Sequence, residues 1–351
     1  MSHFTVAVFT KEGQTVEELL APYHEFECTG IVDQYIQNVN QLDEAYKEYN
    51  NYSFTKLKAP NGELHSPYDD KFYREPTKEE QKTIGFGCGC GNGISYNSKD
   101  WNDGKGYRAK VKFIPEGYEE IEVKAVDIMS FRDFIDYYYE REVLLENDKP
   151  DIEDVHKWGW VRVNNKGEVI ELIKRTNPNA KWDWYQIGGR WSGLLKLKPN
   201  ATSGQKGDRS WTNKDKIIPE CKVDSVKVKD IDFSIDKEEY EKSIRFWELK
   251  VEGDTPRNKQ EEEIVENDWY KKEHYIERYD SKEEYAKLTN EFGTYAVITP
   301  DGIWHSKGDM GWWGCSSETN EEAKKWNKSF KETFIDNVDP EWTLTVVDCH
   351  I

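Results

Sequence analysis

His3-Phe4-Thr5-Val6-Ala7-Val8-Phe9 opens the chain with the alternation expected of a strand that has one face on a core. Thr15 to Tyr23 follows as a short helix. Thr15 stands at its N-cap with Glu18 three positions on, the spacing at which each side chain satisfies the other's backbone amide. The far end reads as clearly: a strand from Tyr295 to Thr299, the turn Pro300-Asp301-Gly302, and a strand from Ile303 to His305. A helix from about Asn320 to Phe334 and a strand from Thr343 to Ile351 complete it. Together the two ends spell β-α-β-β-α-β, the ferredoxin-like order, provided that everything between about residues 31 and 280 is inserted after the first helix. Extended chain ends fray unless paired, so both terminal strands are expected in one sheet. The expected class is α+β: a discontinuous ferredoxin-like antiparallel core from residues 1–30 and 281–351, with a large mixed α/β insertion. An unrelated α+β arrangement accounts for the same elements.

Within the insertion, residues 31–150 read as loop-rich with one hairpin and one helix. The hairpin is Tyr107 to Ile114 and Ile121 to Val126 about Pro115-Glu116-Gly117-Tyr118; the helix runs from Ser130 to Leu145. Residues 151–280 begin with Trp158 to Val163 and Glu168 to Ile173 flanking Asn164-Asn165-Lys166-Gly167, the clearest hairpin signal in the chain. Pro199 to Lys216 is polar and Gly/Ser-rich, an exposed loop. Residues 228–291 hold 20 Asp/Glu against 12 Lys/Arg and read as largely helical.

At 351 residues the chain exceeds one ordinary core. Its net charge of −19 disfavours direct binding of nucleic acid or anionic membrane and favours a basic partner. The aromatic content, 14%, argues against disorder. The first residues lack the basic region of a signal peptide, and no stretch approaches the roughly 18 apolar residues of a membrane span. A cytoplasmic protein is expected, with its six cysteines reduced.

Several stretches carry a resemblance: Ser2-His3-Phe4-Thr5-Val6, His24-Glu25-Phe26-Glu27-Cys28-Thr29-Gly30, and Ser66 to Arg74. To these are added Trp184-Tyr185 through Gly188-Gly189-Arg190-Trp191, Pro300-Asp301-Gly302, Gly311-Trp312-Trp313-Gly314 and Val347-Asp348-Cys349-His350-Ile351. Together they resemble a family of uncharacterised proteins encoded by tailed bacteriophages and prophages, over nearly the whole chain. The resemblance implies a viral accessory protein in the bacterial host cytoplasm, acting on a host or defence component. It brings no catalytic residues with it.

The densest candidate for binding is Trp182 to Trp191. There Gly188 and Gly189 permit a tight bend that sets Arg190 beside Trp184, Tyr185 and Trp191, where a base can stack and a phosphate can be held. Trp312 and Trp313 are candidates for a facing wall. The same residues equally suit a rigid hairpin. Phe86 to Gly93 is Gly-rich enough to aim backbone amides at an anion, with Arg74, Lys99 and Arg108 to supply charge. A second chemistry rests on His24, Glu25, Glu27 and Cys28. If this segment continues the first helix, His24 and Cys28 share a face and suit zinc, with Cys88 and Cys90 as further ligands. Cys28 or Cys349 would need a neighbouring base to act as nucleophile, and His350 and Asp348 share a strand face as an acid/base pair. The expected function is a non-enzymatic accessory protein that neutralises its target. It would use an aromatic/Arg/Gly pocket for a nucleotide-like ligand or an acidic surface for a protein. The alternative is a small-molecule hydrolase or transferase at His24, Glu25, Glu27 and Cys28, with zinc as its possible cofactor.

Overall fold

The computed structural model describes residues 2–30, 34–75, 77–79, 94–96, 109–210, 214–215 and 217–351. Two compact units result, one of residues 1–37 with 176–351 and one of residues 38–175. The division expected at residue 150 therefore falls inside the second unit. The cluster at 182–191 and the acidic helices belong with the chain ends.

A mixed sheet organises the first unit. Its strands are β1 (His3–Thr10), β2 (Trp184–Gly189), β3 (Asp208–Arg209), β4 (Ser225–Lys227), β5 (Ala296–Ile298), β6 (Trp304–Ser306) and β7 (Thr343–His350). In space they run β3-β2-β7-β1-β5-β6, with β4 also on β7. β1 and β7 are antiparallel from His3↔His350 to Thr10↔Thr343, and β1 runs parallel to β5. The chain ends thus share one sheet in an α+β fold. The ferredoxin-like arrangement is not confirmed: it sets the second strand of the 296–306 hairpin beside the opening strand, and here the first strand takes that place.

Around this sheet lie α1 (Val16–Leu20), α2 (Phe26–Thr29), α3 (Lys237–Trp247), α4 (Lys259–Glu266), α5 (Lys272–Arg278), α6 (Lys282–Asn290) and α7 (Asn320–Phe334). Reciprocal capping at Thr15/Glu18 starts α1, and Thr319/Glu322 starts α7 in the same way. β1 is central and covered on both faces, not one. Phe4, Val6 and Val8 pack with Leu19, Leu20 and Val347, while Ala7 and Phe9 pack with Leu344, Val346, Phe330 and Phe334. Each buried Val, Leu or Phe among them contributes about 1.5–3 kcal/mol, enough to hold terminal strands that would otherwise fray.

The second unit carries a sheet of Gln37–Asn40, Val169–Thr176, Gly159–Val163 and Val143–Leu145, in that order. Val161, Leu172, Ala45 and Ile135 form its core. The hairpin about Asn164 to Gly167 forms as its turn residues dictate. The hairpin about Pro115 does not: Glu119–Lys124 pairs with Ser53–Lys58 along six residues, and Ala109–Lys112 pairs with Tyr73–Arg74 and Ile94–Tyr96. The helix expected from Ser130 ends at Tyr139, where Glu140 turns left-handed (φ 46°). Val143–Leu145 then joins the sheet parallel to Gly159–Val163, since ladder pairing outweighs a weak helical pattern. The loop from Pro199 is less free than its composition suggests, because Asp208–Arg209 is the edge strand β3, paired with Gly188–Gly189.

Candidate functional site

Gly188 and Gly189 give the cluster at 182–191 its shape. Both have positive φ, 78° and 54°. A Cβ on Gly188 would stand 2.8 Å from the Asp224 carboxylate, and one on Gly189 would overlap that of Asp348. The bend lets backbone amides reach two buried aspartates. Arg190 N–H donates to Asp348 Oδ2 at 2.9 Å, while Gly193 and Gly207 N–H donate to Asp224 at 2.6 and 2.8 Å. The anion expected in this glycine-rich bend is supplied by the chain itself, which satisfies two carboxylates that burial would otherwise penalise. Gly188 and Gly189 are therefore architectural.

The aromatic residues of the cluster diverge. Trp191 packs against the α7-side core. Trp184 stacks on His350 at 5.1 Å and 18° and meets His3 edge-on at 5.3 Å. The row follows from register, since Trp184 faces His350 on β7 and His3 faces His350 from β1. His350 does not pair with Asp348; its Nδ1 lies 2.6 Å from Asp183, and Asp348 instead takes His3 Nδ1 at 2.8 Å. Cys349 is on the opposite face, where burial pushes its thiol well above the usual range and disqualifies it as a nucleophile. Trp313 is 81% exposed, on a left-handed backbone. Its loop is tied to Ser2, whose hydroxyl donates to Gly311 and accepts from Gly314 N–H. The two tryptophan clusters thus meet neighbouring residues, Ser2 and His3, without the structure placing Trp313 against Trp184.

His24 is not on a helix with Cys28. Pro22 lies in a 3-10 turn after α1, and His24 and Glu25 are extended before α2 begins at Phe26. His24 bridges to Trp182 as a strand, stacks on that ring at 4.3 Å and bonds the Asp183 carbonyl through Nε2 at 2.9 Å. The shared helical face that suited zinc is absent. Glu27 is exposed. Among the described residues no three His, Cys, Asp or Glu side chains are grouped to hold a metal ion. Cys88, Cys90, Lys99 and Arg108 lie outside the described residues, as do the side chains of Cys28 and Trp312. Arg74 belongs to the other unit, its Nη1 donating to the Glu75 carbonyl.

A concave site lies instead on the α7 side of the sheet, with a volume of about 290 Å³, close to the lower bound for small-ligand pockets. Trp326, Phe292 and Tyr295 supply aromatic wall; Lys307, Lys331 and Asn327 supply polar groups. Trp326 is oriented by its Nε1–H, which donates to the Thr294 carbonyl at 3.0 Å. Lys307 Nζ sits 5.2 Å over the Tyr295 ring and 3.5 Å from Glu318. Burial pushes the Tyr295 phenol up to about 12, so it stays neutral. Lys331 pairs with Asp336, and among the described residues Glu291 is the one carboxylate of the lining. Thr5 lines the cavity and is the register partner of Asp348, which joins this site to the His3 pair. None of Trp326, Lys307, Lys331 or Asn327 stood out in the sequence, where α7 reads only as an amphipathic helix.

Comparison of the chain with protein-family models, with curated proteins and with solved structures returned no significant match.

Proposed function

We propose that this chain is a viral accessory protein that binds and sequesters a planar, anionic, nucleotide-like small molecule of mononucleotide size or smaller. The observation that carries the reading is the α7-side cavity, where aromatic walls and two lysines converge within a protein of net charge −19. Rings stack on a base, and Lys307 and Lys331, each already paired with one carboxylate (Glu318 and Asp336), keep further N–H donors for a phosphate. The resemblance to phage proteins supports an accessory role in the host cytoplasm; among the described residues no helix is long and apolar enough to cross a membrane. Calorimetric titration of the full chain with adenosine and guanosine monophosphates tests the reading. Saturable binding is expected, weakened about tenfold by Lys307→Ala combined with Lys331→Ala, each lysine contributing about 0.5–1 kcal/mol at such a partly screened site. Absence of binding in the folded protein refutes it.

A second reading, an acidic surface that occupies a basic protein partner, is favoured by Trp269. It is 94% exposed between α4 and α5, with Glu266 and Glu273 near it in sequence alongside Lys271 and Lys272, while Asp268 is paired with Lys250. An exposed Trp is a typical anchor. Trp269→Ala should leave the melting temperature unchanged and abolish capture of such a partner.

A further inference from the structure

The opposite face of the same sheet carries a second cavity, of about 470 Å³, within the usual range for small-ligand sites. Its lining includes Trp182, Tyr185, Tyr35, His24, Glu17 and Gln34, and among the described residues it contains neither lysine nor arginine. The walls are built. Trp182 is buried, its Nε1–H donating to the Leu20 carbonyl at 3.1 Å, and Tyr185 meets it edge-on at 5.1 Å and 90°. His24 covers a face of Trp182 and has Nε2 engaged with the Asp183 carbonyl. Among the described lining residues the carboxylate is that of Glu17, in the first turn of α1. Its charge reaches inward: after burial, it is the next cause holding the Tyr185 phenol above its usual range.

Ring faces present negative charge, and so does Glu17. An anion entering here meets repulsion from both and, among the described lining residues, no lysine or arginine. A neutral apolar ligand gains the rings but leaves the carboxylate to be desolvated for nothing. A cation without hydrogen-bond donors satisfies both, because cation–π attraction needs no directional partner and the carboxylate balances the charge. We propose that this cavity binds a small organic cation of the quaternary-ammonium class, its head held by Trp182, Tyr185 and Tyr35 with Glu17 as counter-charge. The site is independent of the nucleotide cavity and stands on different residues.

The test is calorimetric titration of the full chain with choline, with its neutral carbon isostere dimethylbutanol, and with phosphocholine. Choline should bind roughly tenfold more tightly than the isostere, and phosphocholine more weakly than choline because its phosphate approaches Glu17. Glu17→Gln, at an exposed helix position, should weaken choline several-fold and leave the isostere unchanged, with an unaltered thermal melt. Tyr185→Phe should retain binding, and Tyr185→Leu should lose it. Equal affinity for choline and isostere, no choline binding, tighter phosphocholine, or choline binding indifferent to Glu17→Gln would each overturn the assignment.

Discussion

Replacing Gly189 by alanine tests whether the glycine bend exists to admit Asp348. At φ 54° an alanine enters the left-handed region, at about 1–2 kcal/mol. Its Cβ also overlaps the carboxylate of Asp348, which is fully buried, so the side chain must withdraw from Arg190 N–H and from His3. A buried donor or carboxylate stripped of its partner adds about 1–3 kcal/mol. Roughly 2–5 kcal/mol is therefore expected, a large share of the 5–15 kcal/mol typical of a domain. Gly13→Ala is the control: φ is 83° there, but no atom lies within 4 Å of the new Cβ, so only the backbone cost applies. Urea denaturation followed by tryptophan fluorescence measures both variants. If Gly189→Ala lies within about 0.5 kcal/mol of Gly13→Ala, the carboxylate cradle is not what the glycine serves.

Three further outcomes follow from the same geometry. Alkylation of the native protein with iodoacetamide, mapped by peptide mass spectrometry, should label the exposed Cys221 and Cys315 and spare Cys349 until the protein unfolds; labelling of Cys349 at the rate of Cys221 contradicts its burial. The hydrogen bond from Lys196, with others at Ser234, holds Asp232 at about 2 against an ordinary 3.8. A carboxyl depressed on folding stabilises above its unfolded value and loses that contribution as pH falls towards 2; carboxyl NMR should show its midpoint climb towards 3.8 in Lys196→Met, and an unmoved midpoint refutes the pairing. Trp184→Ala should raise solvent access to the His350 ring, seen as faster hydrogen–deuterium exchange at its carbon-bound proton; unchanged exchange shows that Trp184 does not shield it.

Local signals were legible. The capping boxes at Thr15 and Thr319, the turn at Asn164 to Gly167 and the α7 pattern each lie within a few residues, and the structure follows them. Pairing partners were not. Whether β5 or β6 lies beside β1, and where Glu119–Lys124 finds its ladder, depends on strands far away in the sequence, which no local period encodes. The same distinction governs the sites. The sequence reads Gly188 and Gly189 as a tight bend, which they form, but what the bend admits is Asp348, 158 positions beyond Arg190. It singled out Trp184, Tyr185 and His24, and the structure divides them: Trp184 goes to the histidine stack, while Tyr185 and His24 share a cavity. Lys307, Lys331 and Asn327 carry no motif and converge only once α7 lies across β1 and β5.

Pairing of β1 with β7 has a consequence for the order of events during synthesis. His3 meets Asp348 345 positions later, and at about 5–20 residues per second that interval lasts roughly 20–70 s. Through most of that time β1 has neither neighbour, since β5 and β7 both come late in the chain, while residues 38–175 have already left the ribosome as a unit able to close its own core. The inserted unit is thus the early-folding part of the molecule, and the sheet that carries both cavities is the last to assemble. A stalled or shortened chain yields a folded insertion attached to an apolar strand, a natural substrate for chaperone or protease, and neither cavity.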